Sequence, residues 1–300
     1  MKKFLISCLG YLILLSPNSF AQEGMPSKLI EKGATVKQLS SEYSFTEGPA
    51  VDKEGNVFFT DQPNNRILKW STNGKLSVFM EDAGRSNGLY FDHQGNLLSC
   101  ADEKNQLWKI GPDKQVEVLI NDFEGKKFNG PNDLWVDPQG GIYFTDPFYK
   151  RPWWDHEEAE LEHQNVYYLS PDKKDLRMVA DGFTRPNGII GSKDGKKLFV
   201  ADIGANKTYV YDVAADASLS NKSLFAELGS DGMTLDHKGN LYLTGKGVTI
   251  FNKKGQQIGH IAIPEDWTAN VTFGGEDQDI LFITAKKSLF SLKMKVHGIR

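Results

Sequence analysis

Six stretches of this chain can be laid over one another, and that internal repetition restricts its fold more tightly than any other property of the sequence. The first two, starting at Glu47 (EGPAVDKEGN) and Asn87 (NGLYFDHQGN), align without a gap, and four more begin at Asn132, Asn187, Asp231 and Asn270. Each runs into a short apolar segment, at 57–60, 97–101, 142–145, 198–201, 241–244 and 280–284. In four of the six, the intervening loop is Asp, two further residues, then Gly-Asn or Gly-Gly, which is a β-hairpin signature. The copies at Asn187 and Asn270 keep the spacing and vary the loop. A third strand pattern follows in every unit and a fourth in most of them.

The starts are spaced by 40, 45, 55, 44 and 39 residues. Four strands per unit at such a period is the signature of a β-propeller blade, so the expected fold is all-β, a six-bladed β-propeller with four-stranded blades. The sixth unit stops after its third strand, near Lys293, while an unpaired strand pattern at 36–43 precedes unit one. The N-terminal strand is therefore expected to close the last blade, which covers edges that an open ring would leave exposed. No long amphipathic helical pattern occurs, which argues against an α/β architecture. The expected organisation is a single propeller domain over 36–300, preceded by an N-terminal extension over 22–35.

Residues 1–21 read as an address. Lys2 and Lys3 give a positive start, 4–15 is an apolar run, and Ser19 and Ala21 are small residues suited to cleavage after Ala21. The run is short of the about 20 residues needed to span a bilayer, although an uncleaved anchor is the alternative. The expectation is an exported protein, periplasmic or secreted, with no membrane attachment once the signal peptide is cut. Cys8 departs with that segment, which leaves Cys100 alone in a strand pattern, where an inert core thiol is the plainer reading. With 35 Lys plus Arg against 39 Asp plus Glu and no basic block, nucleic acid is excluded as a partner.

In a propeller the first strand of every blade lines the central channel, so Glu47, Asn87, Asn132, Asn187, Asp231 and Asn270 are expected around one rim. All six carry a side-chain oxygen, which suits a hard divalent cation such as Ca²⁺, and the two carboxylates balance its charge. The lack of His and Cys in the set argues against a dedicated zinc site. The alternative is that these turn-forming residues serve only the loop backbone. The oversized connection at 147–164 offers Tyr149, Trp153 and Trp154 as stacking surface and an acidic run after them. It reads either as a lid or as a solvated loop with a helical turn at 157–162. Arg85 and Arg185 stand just ahead of two rim asparagines, placed either to bind an acidic product or to pair with surface acids. Of the histidines, His93 and His237 read as surface turns, His156 and His163 lie in the insertion, where they could approach a substrate, and His260 and His297 suggest no chemistry; there is no nucleophile elbow or phosphate-binding loop.

Several of these motifs, taken in order, resemble the senescence marker protein / gluconolactonase family: Phe45-Thr46-Glu47-Gly48-Pro49, Phe128-Asn129-Gly130-Pro131-Asn132-Asp133-Leu134 with Tyr143-Phe144-Thr145-Asp146-Pro147, Arg185-Pro186-Asn187-Gly188, and Ser230-Asp231-Gly232-Met233. The resemblance covers roughly 40–294 and is closest to bacterial gluconolactonase-like members. It implies a six-bladed propeller that hydrolyses small sugar lactones with a divalent cation in the channel, calcium first and Mg²⁺, Mn²⁺ or Zn²⁺ as alternatives. It further implies Glu47, Asn187 and Asp231 as metal ligands, with Asn132 touching metal, its water or substrate, and Asp231 doubling as general base. Ser230 stands where the family often has Pro. Asn132, Asn87, Arg185 and Tyr149 are the expected substrate contacts. Two alternatives remain open at this point: a non-catalytic propeller binding carbohydrate or protein, and a hydrolase of aryl esters, phosphotriesters or acyl-homoserine lactones.

Overall fold

The computed structural model describes residues 26–299. The expected signal peptide, with Cys8, lies outside the described residues. The chain forms six four-stranded antiparallel sheets arranged as the blades of a propeller, together with one small two-stranded hairpin, Asp122–Phe123 with Lys126–Lys127. The first four blades begin with the strands Thr46–Val51, Ser86–Phe91, Leu134–Val136 and Pro186–Gly191, and the last two with Met233–Leu235 and Asn270–Gly274. The only helical turns among the described residues are two 3-10 segments, Gln62–Asn64 and Asp102–Lys104.

Sequence chemistry explains the hairpins directly. In blade one, Asp52 Oδ1 accepts from the amides of Glu54 and Asn56, and Asn56 Nδ2 donates to Asp52 Oδ2 at 2.7 Å. The same self-contained loop recurs at Asp92 and Asp236, each with its Asn four residues on. A side chain that takes up the turn's amides fixes the register of both flanking strands.

The core lies between neighbouring blades. Trp135 of blade three packs with Ile189 and Leu198 of blade four and with Met233 and Leu243 of blade five in one apolar cluster. Leu29 and Ile30 join Val271, Ile283 and Leu292 in another, so the stretch expected as an extension over 22–35 is, from residue 26, partly core. Cys100 is free and fully buried, and burial pushes its thiol far above the usual range.

The last blade closes as the sequence suggests. Lys37–Ser40 pairs antiparallel with Ser288–Lys293, Lys37 opposite Ser291 and Gln38 opposite Phe290, and completes the sheet of Asn270–Gly274 and Ile280–Ala285. An isolated bridge between Ile30 and Met294 extends the join.

Around the axis the blades touch through backbone. Gly88 N donates to Asn132 O at 2.8 Å, and a Cβ on Gly88 would lie 2.6 Å from that same oxygen. Backbone cannot yield as a flexible side chain can, so overpacking here costs about 1–3 kcal/mol. Gly88→Ala is accordingly expected to lower the unfolding free energy by that amount, read as a fall in the denaturant midpoint equal to that loss divided by an unchanged slope. A midpoint equal to that of the parent protein would mean that the blades draw apart freely.

Candidate active site

Each rim residue is set by contacts that arise from the repeat. The last residue of the second strand in blade one, Asp61, accepts from the amides of Ser44 and Phe45, which fixes the approach to Glu47. Asp146 does the same for Asn129 and Gly130 ahead of Asn132, and Asp202 for Thr184 and Arg185 ahead of Asn187. Threonine hydroxyls then tie alternate blades to the next: Thr60 donates to Asn87 O, Thr145 to Asn187 O and Thr244 to Ala269 O.

These constraints produce a cavity of about 310 Å³ at one face of the ring, walled in part by Glu47, Asn87, Asn132 and Asp231. Asp231 is held from two sides. Its Oδ1 accepts from Asn187 Nδ2 at 2.8 Å and its Oδ2 from Trp267 Nε1 at 2.6 Å. Asn187 Nδ2 also donates to the Tyr149 hydroxyl at 2.9 Å. Both hydrogens of that amide are thereby used, while its Oδ1 is buried without any partner. Glu47, only 4% exposed, accepts from the Gly48 amide. Burial and then the nearby Asp231 charge raise its carboxyl well above the usual range. Burial likewise raises Asp231, against the hydrogen bonds from Trp267 and Asn187.

This donor set fits a hard cation. A buried carbonyl oxygen with no donor is costly, and so are two desolvated carboxylates that repel each other. A divalent cation would answer all three deficits with oxygen ligands. Among the described residues no three His, Cys, Asp or Glu side chains gather as a metal set, so the fit depends on the amide oxygens.

The structure places the sequence-derived candidates unequally. Glu47, Asn87, Asn132, Asp231, Tyr149 and Arg185 line the cavity, and Asn187 reaches it through Asp231 and Tyr149. Asn270, expected on the same rim, is not there. Its Oδ1 accepts from the Val271 amide, and its Nδ2 lies 3.4 Å from Asp133 Oδ2, further along the channel. Only glycine at 232 leaves room for that turn, since a Cβ would sit 1.9 Å from the Asn270 side-chain carbon. Asp133 itself is buried, which pushes its carboxyl up to about 7. Arg85 is turned to the Pro63 carbonyl and Glu103 instead of the cavity.

The 147–164 connection is a pinned wall. Trp153 Nε1 donates to Asp102 Oδ2 at 3.1 Å, Trp154 Nε1 donates to Asp102 O at 2.7 Å, and Arg151 Nε forms an ion pair with Asp102 Oδ2 at 3.3 Å. No helical turn forms at 157–162, where Glu160 instead accepts from the Lys127 amide. A stretch this short does not offset the cost of helix nucleation once its residues are tied elsewhere. Trp267, Arg151 and Asp102 are site residues that sequence reasoning missed. The one available signal was the Asp at or just after the end of the second strand in blades one to four.

Comparison with known proteins identifies the family and agrees with the fold. The family model described as "SMP-30/Gluconolactonase/LRE-like region" matches residues 45–287. The gluconolactonase of Zymomonas mobilis is 28% identical, over 90% of this chain and 84% of its own. The diisopropyl-fluorophosphatase of Loligo vulgaris is 26% identical, over 79% of this chain and 84% of its own. The solved structure of a gluconolactonase from Xanthomonas campestris superposes with a TM-score of 0.83 at 30% identity, covering 89% of this chain and 91% of that one. The chain belongs to the SMP-30/gluconolactonase/LRE-like family.

Proposed function

We propose that the chain is a metal-dependent hydrolase of sugar lactones. Support comes from the gluconolactonase relatives and, within the cavity, from the unpartnered Asn187 Oδ1 beside two desolvated carboxylates. Glu47, Asn187 and Asp231, with Asn132 beside them, are the residues that would hold a divalent cation, calcium being the best match to an all-oxygen donor set. Bound there, such a cation supplies Lewis acidity to the lactone carbonyl.

The chain's own residues account for the remaining steps. Asn87 and Asn132 offer neutral donors and acceptors to sugar hydroxyls on the cavity wall. Asp231 accepts a proton from the attacking water as the water oxygen bonds to the carbonyl carbon. Collapse breaks the ring C–O bond, and the proton passes to the departing ring oxygen, giving the open hydroxy acid. Trp267 keeps the Asp231 carboxylate aimed through its 2.6 Å hydrogen bond. The leader-like segment 1–21 supports the further proposal that this happens outside the cytoplasm.

Chelation, or Asp231→Asn, is expected to reduce D-glucono-1,5-lactone hydrolysis above the spontaneous rate by about 10²-fold or more. Calcium should restore the chelated protein but not the variant. Equal rates with and without chelator would refute the reading. Trp267→Phe should lower kcat by roughly 10- to 150-fold with KM little changed, because a hydrogen bond to a charged group contributes about 1.5–3 kcal/mol; an unaltered kcat would remove Trp267 from the site's working parts. The diisopropyl-fluorophosphatase relative favours a second reading, hydrolysis at phosphorus, and diisopropyl fluorophosphate assayed beside the lactones separates the two.

A further inference from the structure

One wall of the cavity carries more positive charge than a neutral sugar lactone uses. Arg151 and Arg185 both line it, with guanidinium carbons 5.2 Å and 4.9 Å from the centroid of the same Tyr149 ring. Their surroundings differ. Arg151 is paired with Asp102, a carboxylate only 2% exposed, and lies 5.7 Å from the Trp153 ring. Arg185 has no carboxylate partner within 4.0 Å among the described residues.

Its position is nonetheless fixed. The Arg185 amide donates to Asp202 Oδ1 at 2.8 Å and the Thr184 amide to Asp202 Oδ2 at 2.9 Å. Gly204 packs closely enough that a Cβ there would be 3.1 Å from Arg185 Cβ. Tyr149, on which both arginines lean, is anchored through its hydroxyl to Asn187. The backbone and the ring beside the guanidinium are thus anchored, and the exposed guanidinium itself is available to a planar or tetrahedral anion.

Charge accounting points the same way. Glu47 and Asp231 balance a divalent cation, and Asp102 pairs with Arg151, which leaves Arg185 as the lining cation without an ion-pair contact, the buried Asp202 carboxylate being taken up by backbone amides. Although Arg185 is solvent-exposed, a positive charge lining a concave site favours a substrate with a negative group remote from the reacting carbonyl.

We propose that the cavity selects lactones bearing a second anionic group, a carboxylate or a phosphate ester, seated on Arg185 with Arg151 reinforcing the field. The inference rests on the lactone-hydrolase reading for the reaction, but its test is one of binding. The unreactive ring-opened acids D-gluconate, D-glucarate and 6-phospho-D-gluconate are titrated by calorimetry into the calcium-loaded protein. Either or both of the acids with a second anionic group are expected to bind about tenfold or more tightly than gluconate, and which one does so distinguishes carboxylate from phosphate. Arg185→Gln should bring the acids to within about twofold, Arg185→Lys should keep part of the preference, and raised salt should weaken it. Equal binding of all three acids by the parent protein, or an undiminished preference in Arg185→Gln, overturns the proposal. Turnover of D-glucono-1,5-lactone is measured alongside. Its absence counts against the hydrolase reading, whereas the order of binding alone decides the question of charge.

Discussion

Everything at the rim depends on how closely the innermost strands approach the axis. The residue following a rim donor is glycine at 48, 88, 188 and 232, and in each case the space a Cβ would fill is already taken by the neighbouring blade. At Gly48 the obstacle is Asn87 O and at Gly188 it is Asp231 O, so the backbone of one rim donor abuts that of the next. Interiors are packed without spare volume, and a single methyl group at these points would push adjacent donors apart. Side chains from different blades can converge on one small cavity because no side chain on these glycines holds their strands apart.

A second economy of the repeat concerns the aspartate at or just after the end of the second strand. Asp61, Asp146 and Asp202 each receive the amides of the incoming segment of their own blade. Blade two solves that problem differently. The Arg85 amide donates to Asn65 Oδ1 at 2.6 Å, so Asp102 is free to receive Trp153 and pair with Arg151. An insertion in blade three is thus anchored on blade two, and the cavity gains a wall from a position that does routine work elsewhere. The burial that lifts the Asp102 carboxyl to about 6 is opposed first by Arg151, so the two groups are matched as a pair.

Local chemistry was legible in the sequence, and long-range chemistry was not. The Asp-x-x-Gly-Asn hairpins, the blade period and the closing strand all follow from patterns within a few tens of residues, and the structure contains each of them. Glu47, Asn132 and Asp231 were legible as equivalent positions of the repeat. Asn270 occupies an equivalent position as well, yet its side chain turns towards Asp133, a partner 137 residues away. Trp267 lies between blades, with no repeat partner to flag it, and reaches Asp231 across 36 residues. The tryptophans of the insertion invited a choice between lid and loop because their anchor, Asp102, lies about 50 residues upstream in another blade.

The closing strand gives the ring an order of assembly. Gln38 Nε2 donates to Ser288 Oγ across 250 residues, so the strand made earliest of those described is paired only when the last blade has formed. Contacts of such separation are slow to form, because the loop they close is nearly the whole domain. Until then Ser288–Lys293 presents an open edge, the kind of surface that recruits strands from other chains. The two ends of the propeller therefore act as one seam, and whatever loosens either end exposes the same edge.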